Sequence, residues 1–537
     1  MMHYSTYFLI ITAVFVLLFA TSSSSSINSP SVYAQYTLSY NDAQSTNIDI
    51  NIEFGINEDI QLHLNGTQTF IMPRSVPSGY ALEFYDSYVD NLIAKSSDGS
   101  LITVKKDSAG GPRWTLECAS NETLSTISYS INLTKHEQGI LSGYDASKIR
   151  QNRYIGILGY STFGYLEPMD EVENLPLMLI VQSLPEWPIH LTLPPTTNRV
   201  PGQQTYSTAS GIAKNYYHLA DTQVFMGPSM NVTYIPISYD ELYQQKTKSQ
   251  LSFDQNLIEQ NYIQRSLSFY VVIYTEDTDN LDVDMATNLS VQAMKNLLLY
   301  YNNVPFSLYT VAMEMTKPLD DKHSYGISME HLNSCTINIE YGSGIHKNST
   351  KDQIRIFQYN LAHHIQHAWL PKRLFSKFYY SFIFELTPVI DTIWFNEGFG
   401  QYIAMDAMAR ALPLNESYEY RQYFIKNRFE YKVNLAPLFI KQMPLPYLSM
   451  IASSLFSIDV RTTINVNSRG ALMAKDMDEL IQLNTQKQKS LRDGIIYMLN
   501  WSESNSYIIP FTMEQFPKFF MNATNVDVSP VLEKWLQ

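Results

Sequence analysis

Cysteine is almost missing from this chain: two in 537 residues, Cys118 and Cys335, far apart and in no Cys-x-x-Cys pattern. That excludes a thiolate metal site and a disulfide-stapled scaffold, and leaves open whether the two pair with each other. Positive charge is scarce as well. Lys and Arg number 37 against 51 Asp and Glu, a net charge of −14, so no broad basic surface exists to neutralise phosphates. Nucleic acid is therefore not an expected partner. Long apolar runs are also lacking: Phe8 to Ala20 stands out, and it is too short to span a bilayer comfortably. Histidine is rare, 11 in all, which makes any cluster of it informative.

What is present describes an ordered, exported, multidomain protein. Hydrophobic residues make up 45% and charged ones 16%, a globular rather than a disordered composition, and the length suits two or three domains. Phe8 to Ala20, a Ser-rich stretch and Val32-Tyr33-Ala34 together read as a signal peptide over 1–34. The usual basic residues are missing, since no Lys or Arg precedes Arg74; uncut, the run would act as an N-terminal membrane tether. A secreted or cell-surface location is expected, and sequons such as Asn65, Asn132, Asn231 and Asn415 fit it.

From 36 to 240 the pattern is β. Ile48, Ile50, Ile52 and Phe54 alternate with polar residues, as do Ile127, Tyr129, Ile131 and Leu133. Asn65-Gly66, Ser97-Asp98-Gly99 and Gly110-Gly111-Pro112 supply turns. These predict an antiparallel β domain, with a border in the polar run Asp240 to Gln250. Beyond it come a strand at Leu267–Tyr274, a helix over Asp282–Tyr301, alternation through Phe306, Leu308, Thr310 and Ala312, and a helix over Asp352–Trp369. After about Ala411, helical runs alternate with Pro-rich breaks such as Met443-Pro444-Leu445-Pro446, and Thr512 to Gln515 reads as a capping box. The fold class is α+β, multidomain.

The stretch Leu361-Ala362-His363-His364-Ile365-Gln366-His367 holds three of the histidines within five positions. Scattered helix histidines are ordinarily structural, but His363 and His367 lie one turn apart on one helix face. With Glu397, in Trp394-Phe395-Asn396-Glu397-Gly398, they make the two-His, one-Glu set of a thermolysin-type catalytic zinc, with a fourth position for water. In the His-Glu-x-x-His motif the glutamate after the first histidine is the general base. Here that position is His364. The motif fits a metal site and fails as a catalytic one. His364 falls on the apolar stripe of Ile354, Phe357, Leu361 and Ala368 and reads as a hydrogen-bonded packing residue rather than a base.

With these residues noted, the chain resembles the glycyl aminopeptidase family of zinc metallopeptidases, of the gluzincin type. The resemblance runs through Met72-Pro73, Pro77-Ser78-Gly79-Tyr80, Leu219-Ala220-Asp221, Val304-Pro305-Phe306, Met329-Glu330-His331, Lys372-Arg373-Leu374 and the metal segment. It implies the β domain (36–240), a thermolysin-like metallopeptidase domain (251–410) and a helical C-terminal domain (411–537), without the PDZ domain that many relatives carry. It also implies zinc and short peptides bound by their N-termini, with Glu330 and His331 as substrate-binding residues and Glu330 holding the ammonium group by charge-assisted hydrogen bonds.

Two departures fall on the reaction step. A histidine that accepts a proton becomes a cation beside a site already net positive, and unit charges about 4 Å apart repel by about 4 kcal/mol at an effective dielectric of 20. That is roughly a thousandfold in rate. The segment Asn467-Ser468-Arg469-Gly470 resembles a family segment that opens with the tyrosine that donates to the oxyanion. Here Asn467 stands in its place, and losing such a donor costs about 3 kcal/mol. Glu385 is one candidate for a substitute base. The expectation is a zinc aminopeptidase scaffold whose hydrolysis is severely reduced or lost, or else a non-catalytic peptide-binding or scaffolding ectoprotein.

Overall fold

The structure, a computed structural model, describes residues 32–537 except 56–63, 76–82, 120–121, 144, 197–200, 250–265, 378, 380–383, 388 and 456–458. Most of the expected signal segment, and the Pro77–Tyr80 run, lie outside the described residues. No helix among those described is long and apolar enough to cross a membrane.

The first region is built on a ten-stranded sheet with a five-stranded sheet beside it. Alternation works as the sequence predicts: in Asn47–Phe54 the isoleucines and Phe54 are buried and the residues between them are not. Pairing is antiparallel except where Ala34–Ser39 lies parallel to Leu177–Gln182. Gly66, Gly99 and Gly110 all take positive φ, the conformation that each predicted turn needs.

A second five-stranded sheet carries the candidate site. Ser266–Thr275, Leu308–Met315 and Ser334–Asn338 run parallel, and the short strand Met329–Glu330 closes one edge antiparallel to Ser334–Asn338. The other edge is Asn231–Ser238, paired with Ser266–Thr275. That strand falls inside the stretch the sequence groups with the β domain, so the packing border lies near 230 rather than 240. Alternation looks the same whichever sheet a strand joins.

Helix Val283–Tyr301 links two of the parallel strands, with Asp282 as its N-cap accepting from the Met285 amide at 3.0 Å. The remaining chain is helical. Its apolar side chains share one continuous core with the sheet, from Ile237 to Leu532, so no packing gap marks the expected border at 410. Of the predicted capping box one half is present: Gln515 Oε1 accepts from the Thr512 amide at 2.9 Å, while the Gln515 amide donates to the Thr512 carbonyl, just ahead of helix Phe516–Thr524, whose N-cap is Gln515. The cysteines are free thiols, Cys335 in this core and Cys118 packed against the other.

Candidate metal centre

Helix Lys351–Gln366 starts at a reciprocal cap. Thr350 Oγ1 accepts from the Gln353 amide at 3.3 Å, and Gln353 Oε1 accepts from the Thr350 amide at 2.8 Å. Ala362 and Ile365 bury the helix in the core, which fixes the direction of His363 and His367. Glu397 comes from a π-helical turn, Trp394–Phe399, that continues as helix Gly400–Arg410. Two glycines allow this approach. A Cβ on Gly398 would come within 2.5 Å of Gly470 Cα in helix Val460–Asn484, and one on Gly400 would collide with the Gln366 amide.

The three predicted ligands meet. His363 Nε2 lies 3.4 Å from His367 Nε2 and 3.3 Å from Glu397 Oε2, and His367 Nε2 lies 3.6 Å from Glu397 Oε1. Zinc–ligand bonds of 2.0–2.1 Å in a tetrahedron put ligand atoms about 3.3 Å apart, so the triangle has the size a zinc ion needs. The proton positions agree. His367 Nδ1 is 2.9 Å from the Leu370 carbonyl oxygen, which can only accept, so Nδ1 carries the proton and Nε2 offers a lone pair. Gln366, whose amide also meets Nδ1 at 3.0 Å, can turn its oxygen to the same proton. Burial, and then the neighbouring His367, hold His363 well below the usual imidazole range, as a neutral ligand. The Gln401 amide meets His363 Nε2 at 3.1 Å, and an ion in the triangle would displace it.

Glu330 joins this group. Its carboxylate, with His367 and Glu397, offers ligand atoms that all lie within 4.8 Å of one another, and all three residues are buried. Two carboxylates that close repel by about 3.5 kcal/mol at an effective dielectric of 20. A cation between them removes that cost.

His364 departs from its expected role as a packing residue. It is half-buried, its Nδ1 has no hydrogen-bond partner, and it offers a nitrogen within 4.8 Å of those of His363 and His367. Position 364 is three before 367, so it flanks the metal face from the side opposite His363. Burial, with His363 and His367 beside it, pushes its pKa down to about 3. His331 is not brought to the cluster. It faces away from Glu330, as neighbours on a strand do, and its Nδ1 meets Asp221 Oδ1 at 3.0 Å with the side chain fully enclosed. Asn467 sits one turn before Gly470, and its Oδ1 is buried without a partner. Glu385 is gripped at both oxygens by Arg113, at 2.8 and 2.7 Å, so it is no free base. Tyr359 and Gln401, which bond to each other beside His363, were not singled out from sequence. Both lie four positions from a ligand, one turn along the same face, and that spacing is the signal that could have found them.

Comparison with known proteins agrees with this architecture. Residues 35–228 match the family model of the Peptidase M61 N-terminal domain. An aminopeptidase N family protein from Idiomarina loihiensis superposes with a TM-score of 0.73 at 16% identity, covering 94% of this chain and 76% of that one. A mutant of the M1 zinc metallopeptidase from Deinococcus radiodurans gives 0.51 at 11% identity, covering 94% of each. No curated protein sequence matches the chain. The chain has a metallopeptidase-like fold. The matched segment ends at 228, just ahead of the strand that joins the second sheet.

Proposed function

We propose that this protein is a zinc-metallopeptidase scaffold that binds the free amino termini of peptides and hydrolyses them poorly or not at all. His363, His367 and Glu397 hold the ion, and Glu330 receives the peptide's ammonium group. A divalent ion held there supplies Lewis acidity and a more acidic bound water. The single observation behind the reading is a complete donor triangle beside an imidazole, His364, where a general base would be a carboxylate. A carboxylate that takes a proton becomes neutral, whereas His364 would add a positive charge next to the ion, at the roughly thousandfold penalty given above. Glu330 keeps its place on the edge strand, so binding groups survive where reaction groups do not. We place the protein outside the cytoplasm, secreted or tethered, on the apolar run Phe8–Ala20.

Reversion tests this. His364→Glu with Asn467→Tyr should raise chelator-sensitive release of glycyl or alanyl groups from fluorogenic substrates by at least about a thousandfold over wild type, the gain expected from His364→Glu alone. A folded, zinc-loaded double variant with no gain contradicts the assignment. The second reading, peptide binding with no turnover, holds if wild type binds peptides yet shows no chelator-sensitive activity.

A further inference from the structure

The face of helix Lys351–Gln366 that carries His363 and His367 runs back through Asn360 to Ile356. At that end opens a groove of about 460 Å³, lined by Ile356, Tyr423, Arg428, Tyr431, Lys432 and Leu435 among others, a size suited to a small ligand. It is tied to the metal face. The Arg428 guanidinium lies 4.7 Å over the Tyr359 ring, and that ring lies nearly parallel to His363 at 6.5 Å. Arg428 Nη2 also reaches Asn360 Oδ1 at 3.4 Å.

The charge here is mainly positive. Arg428 Nε is buried without a partner. Lys432 is pulled down to about 8 by burial and then by Arg428, and Arg461, paired with Asp459, lines the same groove. In a chain of net charge −14, the adjacent Arg428 and Lys432, on a groove with exposed Tyr431 and Leu435, fit an anion that carries an apolar group.

We propose that the groove takes the carboxyl-terminal end of a short peptide, with its terminal carboxylate on Arg428 and Lys432 and its last side chain on Tyr431 and Leu435. This rests on the peptide reading above and adds the far end of the ligand. From Ile356 to His367, the histidine grouped with Glu330, the helix rises about 16 Å, which an extended peptide covers in about five residues. With the first residue at Glu330, the carboxylate falls near the sixth.

The test uses the zinc-loaded full chain and Gly-Ala-Ala-Ala-Ala-Phe as free acid, as C-terminal amide and as N-acetyl form, with Kd measured calorimetrically. Wild type should bind the free acid at least tenfold more tightly than the amide, and Arg428→Gln or Lys432→Gln should bind the two alike. If Arg428→Gln fails to fold, the part-exposed Lys432→Gln carries the comparison. Equal binding of acid and amide by wild type, with the N-acetyl form excluded, overturns the groove proposal and leaves the amino-terminal reading intact. No binding of any form overturns both.

Discussion

Two buried histidine–carboxylate clusters lie within the same region, and they are built to opposite ends. In one, Asp221 from the β domain meets His331 Nδ1 at 3.0 Å, the Leu332 amide at 2.5 Å and Lys372 Nζ at 3.5 Å. Burial raises the Asp221 carboxyl, yet Lys372 and His331 bring it below the ordinary carboxylate range. That cluster balances its own charge, and it locks the edge strand to the neighbouring domain. In the other, two imidazoles and two carboxylates bring ligand atoms together around His367 and Glu397, at the spacing a metal ion needs. Residue types do not separate a structural cluster from a binding one; the spacing of the ligand atoms does.

Removing a carboxylate from each should break the comparison most sharply. Asp221→Ala removes the buried carboxylate that meets Lys372 and His331 and should cost about 3–5 kcal/mol by denaturant unfolding. Glu397→Gln relieves repulsion with Glu330, so in metal-free protein it should leave stability unchanged or raise it, by up to about 3 kcal/mol. Equal losses would mean that both clusters are structural.

A smaller effect comes from His190, whose Nε2 meets Thr310 Oγ1 at 2.8 Å and whose pKa burial pushes down to about 4. Its folded value lies below the unfolded value near 6.5, so its contribution is full above about pH 6.5 and is lost as pH falls to about 4. The stability gap between wild type and His190→Asn should therefore narrow over that window by on the order of 3 kcal/mol. A gap independent of pH would show that His190 is not held neutral.

The parts of this molecule legible in sequence are those set by local periodicity. His363 and His367 share a face because four residues make a turn, and the strand Asn47–Phe54 shows its buried side by alternation. Glu397 was legible only through its motif, since its approach depends on Gly398 packing against Gly470, a contact between segments distant in sequence. His331 was misread because a motif names neighbours without saying that a strand sends them to opposite faces. The turn of His364 toward the metal face, the strand exchange near 230 and the Arg428–Lys432 pair all depend on tertiary packing that periodicity does not encode.

The most direct test of the account is the zinc content of purified full-length protein after incubation with zinc and desalting, set against folded His367→Ala. The account predicts one zinc per chain in wild type and none in the variant. A folded wild-type protein that retains no zinc, or a variant that retains it fully, would contradict it.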